Sequence, residues 1–85
     1  MNNLPQTTAY VTINKKCFKS QIITGEIKAS DFFWEFVWNF NQGELAIKPP
    51  LGKALIQDAL LRFLIKEDYS LEEGNNYYFK ISAKL

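Results

Sequence analysis

The sequence predicts an α+β domain in which one helix packs on an antiparallel sheet of about five strands. Three observations predict it. Several stretches of the 85 residues alternate apolar and polar side chains, one stretch after residue 50 has helical periodicity, and turn residues separate these segments. The predicted order is β-β-β-β-α-β. A partly closed small barrel with the helix as its plug is the alternative architecture.

The first strand is predicted from the alternation in residues 8–14. Residues 1–7 are polar and are expected to be a loose N-terminus, which leaves residues 8–85 as a single α+β domain. The polar run of residues 14–17 is the predicted tip of a hairpin. We expect this hairpin to connect the first strand to the second.

The second strand is predicted over residues 18–28 and contains Gly25, which indicates a bulge or a close backbone approach. The third strand is residues 31–40, DFFWEFVWNF, in which every even position is aromatic. A helix would distribute these rings around its circumference, whereas period two places them on one face. The even-numbered rings are Phe32, Trp34, Phe36, Trp38 and Phe40. We expect them to be core, with an exposed platform for stacked bases as the alternative. One helix is expected to cover the middle of the row but not both Phe32 and Phe40. Phe33 and Val37 face the other way.

A short fourth strand is predicted over residues 44–48, because Gly43 suits a hairpin turn and Pro49 and Pro50 end the pairing. The helix is predicted over about residues 51–66 from its helix-forming residues and apolar spacing. One broad apolar face is expected to cover the aromatic row. That face comprises Leu55, Ile56, Ala59, Leu60, Phe63 and Leu64.

The last strand is predicted over residues 77–84, which show the most regular alternation in the chain. The odd-numbered side chains form an apolar face, and Tyr78, Lys80 and Lys84 lie on the opposite face. We expect this strand to pair with an edge of the meander, most simply with the first strand.

Composition excludes several classes of protein. The sequence has one cysteine and no histidine, so it lacks a disulfide framework, a cysteine-rich zinc site and the commonest general base. We therefore expect no enzyme activity, no cofactor and no metal. The N-terminus has no features of a signal peptide, and no apolar run is long enough to span a bilayer. The expected location is the cytoplasm.

Two sets of surface residues are candidate contacts. Leu61 and Ile65 lie four residues apart on the otherwise polar side of the helix and could bind a partner or a second copy. Exposed sheet residues Phe33, Val37 and Tyr78 could add to a protein contact. The second set could bind phosphates, although lysines also guard sheet edges in proteins that bind nothing. Its members are Lys15, Lys16, Lys19, Lys80 and Lys84.

From residue 8 to the C-terminus the chain resembles a family of short, uncharacterised proteins associated with cyanobacteria. The aromatic strand, the turn at residues 43–45 and the helix start at residues 51–56 carry the resemblance. It implies a free-standing domain and supplies no catalytic or binding residue. The sequence thus predicts a non-catalytic protein interaction module, with weak binding of single-stranded nucleic acid as the alternative.

Overall fold

The computed structural model describes residues 6–48, 54–67 and 70–82. They form one antiparallel sheet and one helix. The elements are β1 (Thr7–Cys17), β2 (Ile22–Ala29), β3 (Phe32–Asn39), β4 (Glu44–Lys48), α1 (Ala54–Glu67) and β5 (Asn76–Ile81). The predicted order of elements is confirmed. Within the described residues, no helix has the length and apolarity that crossing a bilayer would require.

The sheet is open, with strand order β4-β3-β2-β1-β5. β5 returns beside β1, with Ala9 opposite Phe79 and Tyr10 opposite Tyr78. β4 and β5 are therefore the two edges, and the alternative of a partly closed barrel is not observed. Alternation along each strand gives the sheet a face beneath α1, which we call the core face, and a second face, which we call the outer face.

The first hairpin turns later than the sequence predicted. Residues 14–17, expected to be its tip, continue β1, and the turn falls at residues 18–21. Two features account for this. The pairing with β2 skips one residue between Ile13 and Lys15, so a bulge absorbs Asn14 without ending the strand. The reversal comes at Gln21, whose φ of 59° lies in the left-handed region.

Gly25 in β2 marks a close approach of backbone and ring, one of the two roles predicted for it. A Cβ added there would lie 2.7 Å from Cζ of Phe36 and would also overlap the carbonyl oxygen of Thr12. Glycine thus lets the Phe36 ring lie directly over β2. The bulge in β1 lies directly opposite, where Ile13 pairs with Gly25.

The core lies between the core face and α1. Trp34, Phe36 and Trp38 are buried there, which confirms that most of the aromatic row is core. Its margins behave differently. Phe32 is partly exposed and stacks on Trp34 at 5.4 Å between ring centroids, and Phe40 packs at the core boundary. The helix of 14 residues is too short to cover the whole row.

The helix buries Ile56, Leu60 and Leu64 completely. On one flank, Phe63 stacks on Phe79 of β5 at 5.0 Å between centroids. Leu55, expected to belong to the core, is 47% exposed on that same flank. The flank of α1 that carries Phe63 thus packs on β5, and Leu55 on the same flank remains partly exposed to solvent.

The connection from α1 to β5 closes the end of the core. Leu71 is fully buried, although its polar surroundings in the sequence predicted only a loop. Lys16 holds it in place, since Lys16 Nζ donates a hydrogen bond of 2.8 Å to the Leu71 carbonyl. The main-chain N–H of Lys16 donates to Glu73 Oε1 at 3.0 Å.

Candidate interaction surfaces

The outer face is formed by the side chains that alternate with the core. Neither α1 nor any other described element covers it, because α1 packs on the core face. The register of all five strands places its residues in rows that run across the sheet. Two of these rows are relevant to binding.

The first row carries three exposed aromatic rings. Tyr78 of β5 is opposite Tyr10 of β1, Tyr10 is opposite Lys28 of β2, and Lys28 is opposite Phe33 of β3. Tyr78, Tyr10 and Phe33 are 68%, 59% and 51% exposed. At about 4.8 Å between neighbouring strands, the row extends roughly 14 Å. We call these four residues the aromatic row of the outer face.

A shallow depression lies towards the other end of the outer face. Its volume is about 320 Å³, and small or short side chains on three strands form much of it, among them Thr24, Val37 and Ala46. These three residues are opposite one another in register. Glu35 and Lys48 line it and face each other across β3 and β4. The outer face therefore has relief as well as exposed rings.

The charges of the outer face nearly balance. Its strand residues include four lysines and three glutamates, of which Glu26 and Glu35 are directly opposite each other. The lysines are Lys15, Lys28, Lys48 and Lys80, and the third glutamate is Glu44. Such a surface gives little long-range attraction for a polyanion. Its unusual property is the exposed ring area.

The register separates the candidate phosphate-binding lysines. β1 and β5 do pair, but Lys80 lies beside Thr8, and its Nζ donates to Thr8 Oγ1 at 2.6 Å. Lys15 is opposite Thr24 near the other end of β1.

Lys16 points to the core side, where its Nζ lies 4.9 Å from the Phe18 ring centroid. Lys19 is in the turn after β1, and Lys84 lies outside the described residues. The two ends of β1 do not form one basic patch.

The helix pair is divided by burial. Leu61 is half-buried and packs against the core, whereas Ile65 is 60% exposed. A half-buried side chain contributes to folding and offers less area to a partner. Of the two candidate contacts, Ile65 is the one that α1 presents to solvent.

A second concave region lies along the β5 edge of the sheet. This groove has a volume of about 460 Å³ and is bounded by α1 on one side and β5 on the other. Its apolar part comes from Leu55, Ala59, Phe63 and Phe79. Because the lining includes residues from both faces of β5, the groove follows the strand's edge. We call it the edge groove.

Residues with redox or metal chemistry are few. No group of three or more acidic, cysteine or histidine residues that could hold a metal occurs in the part of the chain that the structure describes. Cys17 is partly exposed at the end of β1. Hydrogen bonds from the side chain and main chain of Ser20 lower the pKa of its thiol.

Sequence reasoning identified Phe33, Val37 and Tyr78 as outer-face residues, but not their arrangement. It did not find that Tyr10 and Lys28 complete a row with Phe33, because cross-strand register depends on turn positions and on the bulge in β1. The edge groove was also missed. Its only sequence signal is the excess width of the apolar helical face, which is broader than Ile56, Leu60 and Leu64 require.

Of three comparisons with known proteins, one gives a match. Neither the curated proteins nor the solved structures provide a match. A family model described as a protein of unknown function, DUF3146, matches residues 5–84. That match covers every element of the fold described above, so the chain belongs to the DUF3146 family.

Proposed function

We propose that this protein is a non-catalytic binding domain whose outer face contacts another protein. The observation that carries the proposal is the aromatic row of the outer face, which crosses four neighbouring strands. Its three rings, Tyr10, Phe33 and Tyr78, are exposed. Exposed rings gathered on one face of a sheet are a feature of interaction surfaces. Tyrosine and phenylalanine are also enriched in the centres of protein interfaces.

The charge distribution supports a protein as the occupant. Four lysines and three glutamates surround the rings, so a contact would depend on apolar area and local pairing more than on net charge. The depression beside Val37 offers a site for a projecting side chain of the partner. The partner we propose therefore presents an apolar, ring-accepting surface with charges of both signs at its rim.

Single-stranded nucleic acid is the second candidate. The observation that favours it is the position of Lys28 between Tyr10 and Phe33, since bases stack on exposed rings while lysines bind phosphates. Each stacked base would contribute about 1–3 kcal/mol. Association that falls steeply as salt rises is the signature of this candidate.

The decisive experiment is affinity capture from a cyanobacterial extract, the source that the sequence resemblance suggests, with three forms of the protein. They are the wild type, an outer-face variant with Tyr10→Ser and Phe33→Ser, and a helix control with Ile65→Ser. The proposal expects one protein to be retained in stoichiometric amount at high salt by the wild type and the control. The outer-face variant should lose it.

Three outcomes contradict the proposal. Release by Ile65→Ser, with retention by the outer-face variant, assigns the contact to α1. Retention by all three forms assigns it to another surface. If no protein is retained and labelled single-stranded DNA or RNA binds with a steep salt dependence, the nucleic-acid candidate is correct. Cytoplasmic location and absence of catalysis remain predictions from the sequence.

A further inference from the structure

The edge groove borders main-chain groups that lack a strand partner. β5 is an edge strand, and none of the strands formed by residues 6–48 and 76–82 pairs with its outer side. A strand edge of this kind presents alternating N–H and C=O groups that can accept another strand. Whether it is usable depends on which residues direct those groups outward and on what lies above them.

The hydrogen bonds of Ile13 establish the direction of the main chain. Its N–H donates to the Asn75 carbonyl at 3.0 Å, and its carbonyl accepts from the Gly74 N–H at 2.7 Å. Ile13 therefore directs both groups towards β5, and so do Val11 and Ala9, because alternate residues of a strand direct their main-chain groups the same way.

The partners of Val11 and Ala9 are Tyr77 and Phe79. These odd-numbered residues of β5 use their main-chain groups in the ladder with β1. The residues between them, Tyr78 and Lys80, consequently direct N–H and C=O to the open edge. A strand added there would bond to Tyr78 and Lys80 without disturbing β1.

The helix restricts which side chains an added strand can carry at this edge. α1 and β5 together bound the groove, so a strand placed beside β5 would have its inward side chains against the helix flank. Those side chains would meet Ala59, Phe63 and Phe79, with Leu55 at one end. Exposure of Leu55 on an otherwise core-directed flank is explained if the groove is filled during binding.

Charge indicates the chemistry of the occupant. Among the described residues the only ion pair joins Arg62 to Asp58, at 3.9 Å, and both line the groove. Glu67 Oε2 accepts a hydrogen bond from the Ser70 hydroxyl at 2.9 Å. Lys66 and Lys80 line the same groove with no carboxylate partner in the described part of the chain. Three cations and two carboxylates, Glu67 among them, thus line the groove, which gives a net charge of +1 beside an apolar floor.

We propose that the edge groove binds an extended, acidic segment of a partner protein by strand addition to β5. Apolar side chains of the segment point beneath α1, and the acidic ones, which alternate with them, point to the other face of the strand and reach Lys80. A second copy of this chain is a poorer occupant, because self-pairing of β5 would bring Lys80 of both copies to the same face of the new strand pair, and like charges repel there. This site shares Tyr78 and Lys80 with the outer face but does not need Tyr10 or Phe33.

The test uses two pools of octapeptides with blocked ends. In one pool glutamate alternates with a varied apolar residue, and in the matched pool lysine replaces glutamate. We expect the acidic pool to slow hydrogen exchange at the Tyr78 and Lys80 amides of the wild-type protein. We expect the basic pool to bind at least tenfold more weakly. This measurement needs no variant, so it is unaffected by any folding defect.

Two variants, each with one tryptophan introduced on α1, locate the site. Ala59→Trp fills the groove and should abolish protection of both amides, whereas Ile65→Trp on the exposed side of α1 should leave it intact. The outer-face variant with Tyr10→Ser and Phe33→Ser should bind the acidic pool like the wild type. That result separates the failure of this proposal from failure of the proposed function.

Several results overturn the inference. They are equal binding of the two pools, absence of protection at Tyr78 and Lys80, and protection that survives Ala59→Trp. Sedimentation of the protein alone provides the last test. If protection of these amides rises with protein concentration as a dimer forms, the occupant is a second copy.

Discussion

The two faces of the sheet come from the same strands and both carry aromatic rings, but the rings are buried on one face and exposed on the other. On the core face, Trp34, Phe36 and Trp38 are buried in one cluster with residues of α1. On the outer face, Phe33, Tyr10 and Tyr78 are exposed, with no described element above them. In β3 the two sets are adjacent in sequence, so ring content alone does not distinguish core from surface. The position of the helix does.

The largest expected effect separates neighbouring rings of β3. Phe36→Ala should lower the free energy of unfolding by about 3–5 kcal/mol, because a 2% exposed ring leaves a cavity over Gly25. Phe33→Ala, its matched control on the outer face, should change that free energy by about 0.5 kcal/mol or less. Urea denaturation of the two variants measures both values. Equal destabilisation would mean that Phe33 also has structural cover.

A smaller effect is expected at Gly25, where the core face approaches the backbone of β1. Gly25→Ala should cost about 1–3 kcal/mol, since the new methyl group meets the Phe36 ring and the Thr12 carbonyl. The neighbouring outer-face substitution Thr24→Ala should cost about 1 kcal/mol or less. Thermal unfolding monitored by near-ultraviolet circular dichroism reports stability and the packing of the aromatic rings together. A neutral Gly25→Ala would show that Phe36 can move aside without loss.

Sequence patterns predicted what depends on local periodicity. The fourth strand agrees with its observed bounds, and Ile56, Leu60 and Leu64 were correctly assigned to the core. The predicted end of β1 was wrong. Residues 14–17 are mostly polar, and a polar run is compatible both with a turn and with an exposed strand. Only the pairing with β2 shows that a bulge at Asn14 lets the strand continue.

The candidate sites were less predictable for a related reason. The row joins Tyr78, Tyr10, Lys28 and Phe33 from four strands, so their alignment depends on all of these strands being in register. The edge groove depends on the lateral position of α1 over the sheet. Nothing in the spacing of Leu55, Ala59 and Phe63 distinguishes a flank that is fully covered from one that borders an open groove.

The smallest expected effect concerns Cys17 and shows how the bulge exchanges the two faces. Beyond Asn14 the parity of β1 reverses, so Lys16 points to the core side and Cys17, opposite Ile22, to the outer side. We expect the folded protein to react with iodoacetamide at this thiol, as measured by mass spectrometry. Hydrogen bonds from Ser20 lower the pKa of the thiol, so alkylation should reach half its maximal rate at a lower pH than for an ordinary cysteine. Ser20→Ala should shift that midpoint to higher pH. Alkylation that requires urea would place Cys17 on the core face and show that the bulge does not persist in solution.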